Sequence, residues 1–157
     1  MKRIPEDFVE LFKCHALMEV ATVDEAGFPH ITPVWADYDG EHILLNTAHG
    51  RRKHRDLLRH PEVGVFIQDP RSWARYISVG GRVAEITTEG ARDHIDVLAN
   101  RYLGTPGYPF TVRPERPRTL VKIEPVKIVV QDAIGQRDFK DVPLDPAERA
   151  TAPAGHA

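Results

Sequence analysis

Short segments rich in β-forming residues, separated by turn signals, most constrain what this chain of 157 residues can fold into. Strands that follow one another so closely favour antiparallel pairing, because a parallel sheet needs a long crossover between strands. The sequence therefore predicts a mostly β (α+β) fold, a small barrel of six antiparallel strands with peripheral helices. The predicted strands cover residues 16–23, 29–38, 41–47, 63–68, 75–86 and 119–131, the last divided by Pro125.

Glycines and prolines refine the predicted strand connections. The Asp39-Gly40 pair predicts a two-residue hairpin turn, since both positions of such a turn favour positive φ. The first three strands would then form a meander. Gly80 and Gly81, in the middle of the fifth strand, predict a bulge or a bend.

Helices are predicted near the N-terminus, after Gly50, and from an N-cap at Thr87 or Thr88 to Gly104. Residues 104–117 contain four prolines and two glycines, which predict a long irregular loop of the kind that is often functional. The sequence thus predicts one barrel domain at 1–135. A polar, Pro/Ala-rich tail at 136–157 is predicted to be mostly disordered.

Overall charge narrows the classes of partner. The formal net charge is −2, with 41% hydrophobic and 28% charged residues. Binders of nucleic acid or membranes usually carry a broad basic excess, so neither partner is expected. Cys14 is the only cysteine, which excludes an intramolecular disulfide and a cysteine-rich zinc site. Because the charged N-terminus lacks an apolar leader, we expect a soluble, cytoplasmic protein.

The most unusual local feature is the basic sequence GRRKHR at residues 50–55, between a predicted strand and a predicted helix. The first turn of a helix has unpaired N–H groups and a positive dipole end, so cations there are disfavoured by roughly 0.3 to 1 kcal/mol each. A bound phosphate would offset that cost. The competing interpretation is a solvated basic surface, and these residues alone do not separate the two.

Motifs for protein-borne catalysis are missing. Ser72 and Ser78 are the only serines, and neither lies in a Gly-x-Ser-x-Gly turn. The eight histidines show no metal-ligand spacing, so no metal site is predicted. No catalytic residue is assigned, and a bound cofactor would carry the reaction. The sequence Thr32-Pro33-Val34-Trp35 offers a wall for a flat ring, although Trp35 is equally typical of a core aromatic residue.

Six motifs follow one another over roughly residues 5–132: GFPHITPVW at 27–35, LNT at 45–47, RRKHRDL at 51–57, DP at 69–70, RYISVGGRV at 75–83 and RYLG at 101–104. In this order they resemble the FMN-binding split-barrel proteins related to pyridoxamine 5′-phosphate oxidase, and in particular the branch that uses the deazaflavin coenzyme F420.

The resemblance implies a flavin oxidoreductase and a set of cofactor-binding residues. Arg51 and Lys53, helped by Arg52 or Arg55, would bind the cofactor phosphate. Family members are homodimers with the cofactor at the subunit interface, so Arg75 and the loop 104–117 would act across it. The approach to the phosphate would be lined by Asn46 and Thr47, and the ring would contact Thr32, Pro33, Val34 and Trp35.

Two differences between this chain and the pyridoxamine phosphate oxidases determine the functional prediction. The chain lacks the terminal arginine motif of true pyridoxamine phosphate oxidases, so vitamin B6 is not the expected substrate. Arg113, Arg116 and Arg118 could pair with the acidic glutamyl tail of F420, which favours F420 over FMN. We therefore predict an F420-dependent reductase that transfers hydride to a small planar organic substrate. The alternatives are an FMN enzyme, a non-catalytic flavin or tetrapyrrole carrier, and a barrel that binds nucleic acid.

Overall fold

The computed structural model describes residues 2–132, so the predicted tail at 136–157 lies outside the described residues. The described chain contains three α-helices and seven β-strands. The helices are α1 (Glu6–Lys13), α2 (Arg52–Arg59) and α3 (Ala91–Leu103). The strands are β1 (Leu17–Val23), β2 (Pro29–Trp35), β3 (Asp37–Tyr38), β4 (Ile43–Ala48), β5 (Glu62–Gln68), β6 (Arg75–Thr87) and β7 (Arg118–Asp132).

All seven strands join one antiparallel sheet in the order β2-β1-β5-β6-β7-β4-β3. The sheet curls into a half-barrel, in which β2 comes close to β4. Alternate residues of the central strands, such as Val20, Val65 and Val79, point into the core, as strand periodicity requires. Helix α1 packs Leu11 and Phe12 into the same core. The predicted split-barrel fold is therefore confirmed.

The second predicted strand is divided at Ala36, because α3 binds both backbone groups of that residue. The Ala36 N–H donates to the Tyr102 hydroxyl (2.9 Å), and the Arg101 guanidinium donates to the Ala36 carbonyl (2.8 Å). Neither group is left for a neighbouring strand. The sheet consequently has seven strands instead of six. Both pairings of the predicted meander occur, since β2 pairs with β1 and β3 pairs with β4. The two halves of the second predicted strand, however, lie at opposite edges of the sheet.

The turn at Asp39-Gly40 is also longer than predicted. Strands β3 and β4 are joined by four residues, 39–42. The Asp39 carboxylate accepts hydrogen bonds from the backbone N–H groups of Glu41 (2.8 Å) and His42 (2.7 Å). This side-chain bonding, with the backbone hydrogen bond from the Asp39 N–H to the His42 carbonyl (3.1 Å), stabilises a four-residue loop in place of the predicted two-residue turn.

The predicted bulge in β6 is confirmed. The register between β6 and β7 shifts between Gly80 and Gly81. A Cβ atom at Gly81 would lie 2.4 Å from Ile123 Cγ2, so only glycine fits there. Pro125 stands opposite Gly81 at this irregular point of the ladder and does not divide β7, contrary to the prediction.

Helix α3 begins differently from the prediction. Its N-cap is Gly90, at φ 68°, while the Thr87 hydroxyl accepts a hydrogen bond from the Glu89 N–H (3.0 Å). Gly104 ends the helix, as predicted, and the loop that follows it contains neither helix nor strand up to β7. Of the three helices in residues 2–132, none has the length and apolar character needed to span a bilayer.

Candidate functional site

A cavity of about 240 Å³ opens where β2, β4 and α3 meet the N-terminal end of α2 and the loop 104–117. One part of its wall is apolar and aromatic, and the other part is basic. The lining residues are Leu17, Pro33, Val34, Trp35, Asn46, Thr47, Arg51, Lys53, Ile95, Leu98, Tyr108, Phe110 and Arg118.

Trp35 forms the aromatic wall and is held in one orientation. Its ring stacks on Tyr102, with the ring centroids 5.2 Å apart and the planes inclined by 12°. The Tyr102 hydroxyl donates to the Ala16 carbonyl (2.5 Å) and accepts from the Ala36 N–H, and burial raises the pKa of Tyr102 to about 12. Tyr108 approaches Trp35 edge-on at 6.3 Å. The wall is therefore a rigid surface suited to packing against a flat ring.

The basic part of the wall is built on the first turn of α2. No acidic residue lies in that turn, and Arg51, the N-cap, makes no side-chain capping bond. The first helical hydrogen bond runs from the Arg55 N–H to the Arg51 carbonyl, so the N–H groups of residues 52–54 precede the helical ladder. Together with the helix dipole, these groups favour an anion.

Lys53 has the most strongly shifted pKa among the cations of the cavity. Its exposed fraction is only 8%. Burial, followed by the charges of Arg51 and Arg118, lowers the pKa of Lys53 to about 8. No ion pair found within residues 2–132 includes any of these three cations. We call Arg51, Lys53 and Arg118 the cationic cluster.

Arg118 reaches the cavity from the start of β7. Its Nε–H donates to Asn46 Oδ1 (2.7 Å), and its guanidinium lies over the Tyr108 ring, 5.2 Å from the centroid. Burial lowers the pKa of Arg118, and the nearby charge of Arg51 lowers it further. A carbonyl oxygen and an aromatic face thus orient Arg118, but neither neutralises its charge.

Thr47 supplies an unused hydrogen-bonding group beside the cationic cluster. Its side chain is 2% exposed, and its hydroxyl has no partner in the described part of the chain. Thr119, which pairs with Thr47 across β4 and β7, also has a buried hydroxyl without a described partner, but it does not line the cavity. A buried hydroxyl left unpaired costs about 1 to 3 kcal/mol, so an acceptor in the cavity would relieve the cost at Thr47.

The structure brings most of the residues predicted from sequence to this cavity. Four do not line it: Thr32 lies on β2, Arg52 donates to Asp24 (3.0 Å), Arg55 donates to the Gly50 carbonyl (2.6 Å), and Arg75 binds Asp69. The predicted residues that do line the cavity are Pro33, Val34, Trp35, Asn46, Thr47, Arg51 and Lys53.

Sequence reasoning did not assign the aromatic residues of the loop to the site. Tyr108 and Phe110 contact each other edge-on at 5.2 Å, and both line the cavity. The Tyr108 N–H donates to the Asp96 carboxylate (2.7 Å), which ties the loop to α3. Aromatic residues in a proline-rich loop were the available signal. Three further lining residues, Leu17, Ile95 and Leu98, gave no sequence signal for the site, because ordinary core packing explains them equally well.

Comparison with protein families gives one match over most of the chain. The model of the pyridoxamine 5′-phosphate oxidase family matches residues 4–132. No curated protein matches the sequence significantly.

Several solved structures share the fold. An F420 reductase is 26% identical, with a TM-score of 0.69, over 80% of this chain and 98% of the other. A conserved hypothetical protein of Mycobacterium tuberculosis is 24% identical, with a TM-score of 0.66, over 89% of both chains. HupZ of Group A Streptococcus is 20% identical, with a TM-score of 0.58, over 83% and 98%. The last two likenesses concern the fold alone.

Proposed function

This chain belongs to the pyridoxamine 5′-phosphate oxidase family, whose members bind flavin-type cofactors, and on that premise we propose that it is an F420-dependent oxidoreductase. Its substrate would be a small planar organic molecule. The deazaflavin, when bound, supplies hydride transfer. The protein then needs to hold the cofactor, orient the substrate and exclude water.

The unneutralised cationic cluster is the observation that carries the proposal. Three cations converge on a partly buried cavity, and burial, followed by their mutual repulsion, already lowers the pKa of Lys53 to about 8. A phosphate bound there would reverse that shift, because an opposite charge favours the protonated amine. Arg51 and Lys53 would hold the phosphate oxygens together with the first N–H groups of α2, and Thr47 would donate its hydroxyl.

The aromatic wall is the second support. Pro33, Val34 and Trp35 line the cavity beside the cationic cluster, so a ring joined to a bound phosphate would lie against β2. Tyr108 and Phe110 would cover that ring from the loop and keep water from it. The fixed stacking of Trp35 on Tyr102 means that this wall needs no rearrangement to receive a ligand.

The choice of F420 over FMN rests on two observations. The similar F420 reductase is matched over 98% of its length. Arg113 and Arg116 are exposed on the loop, and no carboxylate in residues 2–132 pairs with either of them. The glutamyl tail of F420 offers carboxylates for such arginines, whereas FMN has no equivalent group.

We also propose a homodimer with the cofactor at the subunit interface. Val126, Val129 and Val130 are exposed on β7, and exposed apolar surface of this kind favours association. Light scattering of the purified protein would give a mass twice that of the chain, and a monomer at micromolar concentration would contradict this part of the proposal.

Fluorescence titration with F420 and, separately, FMN tests the cofactor. We expect F420 to bind more tightly and Lys53→Ala to weaken binding by about tenfold or more, the effect of losing a charged hydrogen bond. Lys2→Ala is the matched control, because Lys2 is exposed and does not line the cavity. Arg113→Ala should weaken F420 but not FMN. Binding of neither cofactor would contradict the proposal, and binding without turnover of quinones or enones would indicate a carrier.

A further inference from the structure

The side chain of Asn46 connects the cavity to a buried group of charges. Its amide nitrogen donates to the Ala91 carbonyl (2.7 Å), and its oxygen accepts from Arg118 Nε (2.7 Å). These two partners determine the orientation of the amide, because a carbonyl only accepts and a guanidinium only donates. The Asn46 Nδ2 atom therefore also faces His94 Nδ1, 3.1 Å away.

The orientation of Asn46 determines the tautomer of His94. Since Asn46 Nδ2 is a donor, His94 Nδ1 must be the unprotonated, accepting nitrogen. In neutral His94 the proton is then on Nε2, which lies 3.4 Å from Asp37 Oδ2. The His94 ring thus lies between the Asn46 amide, from which Nδ1 accepts, and the Asp37 carboxylate, which Nε2 approaches without forming a hydrogen bond in the described chain.

Asp37 anchors the far end of this chain of contacts. It is buried, and its carboxylate accepts from Lys13 (2.8 Å) and lies 3.3 Å from the Arg101 guanidinium. Burial alone would raise the pKa of Asp37, but the nearby His94 ring, the hydrogen bond from Lys13 and the charge of Arg101 hold that pKa well below its usual range. Asp37 therefore stays ionised and keeps attracting the Nε2 proton of His94.

We propose that His94 is a positioning residue for Arg118: by accepting from Asn46, it keeps the amide oxygen directed at Arg118 and holds the guanidinium ready for an anionic ligand. The inference rests on the proposed function, in which the anion is a group of the cofactor. The relay runs from Asp37 through His94 and Asn46 to Arg118, and only the last of these side chains needs to touch the ligand.

A proton on His94 would have the opposite effect on anion affinity from simple charge attraction. Protonated His94 would carry a hydrogen on Nδ1 facing the Asn46 amide nitrogen, so the amide would be pushed away and Arg118 would lose its acceptor. Anion affinity would fall as His94 gains a proton, although an added positive charge by itself would raise it. The charged groups on this path are Asp37 on β3, Lys13 on α1, Arg101 on α3 and Arg118 on β7.

Three variants of the full chain test the relay. His94→Phe removes the acceptor, His94→Asn keeps an acceptor near the Nδ1 position but cannot be protonated, and His42→Asn is the control. His42 is a second histidine beside an aspartate, 3.6 Å from Asp39, and it does not line the cavity. Two quantities are measured from pH 5 to 8: affinity for inorganic phosphate and for F420, and solvent exchange of the Arg118 Nε–H by NMR, assigned with Arg118→Lys.

We expect His94→Phe to weaken anion binding about tenfold and to speed Nε–H exchange by a similar factor. His94→Asn should bind like the wild type at pH 8, because it keeps an acceptor near the Nδ1 position. His42→Asn should behave like the wild type throughout.

The inference is overturned if His94→Phe leaves both exchange and affinity unchanged, or if His94→Asn weakens binding as much as His94→Phe does. It is also overturned if the protein binds neither phosphate nor F420. Binding of phosphate with the expected dependence, but of neither F420 nor FMN, would support the relay and end the proposed function.

Discussion

Two basic regions of this protein differ in whether carboxylates neutralise them. In the acid-paired cluster, Arg71 and Arg75 bind Asp69 at 2.9 and 2.6 Å and Glu10 at 2.7 and 2.8 Å. Arg75 also donates to the Asp7 carbonyl and lies over the Phe8 ring. In the cationic cluster of the cavity, no described carboxylate pairs with the three cations.

This difference in pairing suits the two clusters to different roles: the acid-paired cluster to a structural one and the cationic cluster to ligand binding. The acid-paired cluster ties the turn before β6 to α1 and leaves its arginines little capacity for a ligand. The cationic cluster has unused donors and unfavourable repulsion, which a bound anion would relieve. Arg75 was predicted to act at the cofactor, and since its donors here serve intrachain partners, that role stays a prediction for the proposed dimer.

The largest expected effect follows from removing the acid at the centre of the acid-paired cluster. Asp69 is 3% exposed, and Asp69→Ala would leave two adjacent guanidinium groups without their main partner. We expect a loss of about 3 kcal/mol in the free energy of unfolding, measured in urea. Glu62→Ala, which breaks the exposed pair with Arg82, should cost less than about 1 kcal/mol. Equal losses in the two variants would show that the ion pairs of Asp69 contribute no more to stability than an exposed surface pair.

A smaller effect of opposite sign is expected in the cationic cluster. Lys53→Met should stabilise the ligand-free protein by about 1 to 2 kcal/mol at pH 7, because it removes a buried charge that lacks a partner. The same substitution should reduce cofactor affinity. A loss of stability would show that the ammonium group has a partner in solution.

The pH dependence of stability gives an independent check on Lys53. Its pKa is about 8 in the folded chain and about 10.4 in an unfolded one. Between these values the unfolded chain binds more protons, so stability rises with pH over this window, and the cost is fully present below pH 8. Lys53→Met should therefore lack the part of the rise from pH 8 to 10 that Lys53 contributes to the wild type, as urea unfolding at each pH would show.

The smallest expected effect distinguishes two threonines that face each other across β4 and β7. Thr47→Val and Thr119→Val should each stabilise the ligand-free protein by about 1 kcal/mol, the low end of the cost of a buried unpaired hydroxyl, because a methyl group replaces that hydroxyl. Only Thr47→Val should weaken phosphate or F420 binding, by about fivefold. If Thr119→Val weakens binding equally, the hydroxyl of Thr47 does not contact the ligand.

Local sequence signals predicted those parts of the fold that depend on neighbouring residues. Alternation in 63–68 identified β5, the Gly80-Gly81 pair identified the bulge, and Gly104 ended α3 as predicted. The errors occurred where distant side chains intervened. Nothing near Ala36 signals that Arg101 and Tyr102 bind its backbone, so the division of the second strand was not predictable.

For the candidate site, the sequence by itself determined which residues carry unusual chemistry. A helix that begins with cations is unfavourable unless an anion offsets their charge, and GRRKHR therefore predicted either a bound anion or a solvated basic surface. Only the tertiary structure decided which cations lack acids, which aromatic residues cover the cavity, and which side chains position Arg118. These properties depend on contacts between residues far apart in the chain, such as Asn46 with Arg118, 72 positions away, and a local pattern contains no record of them.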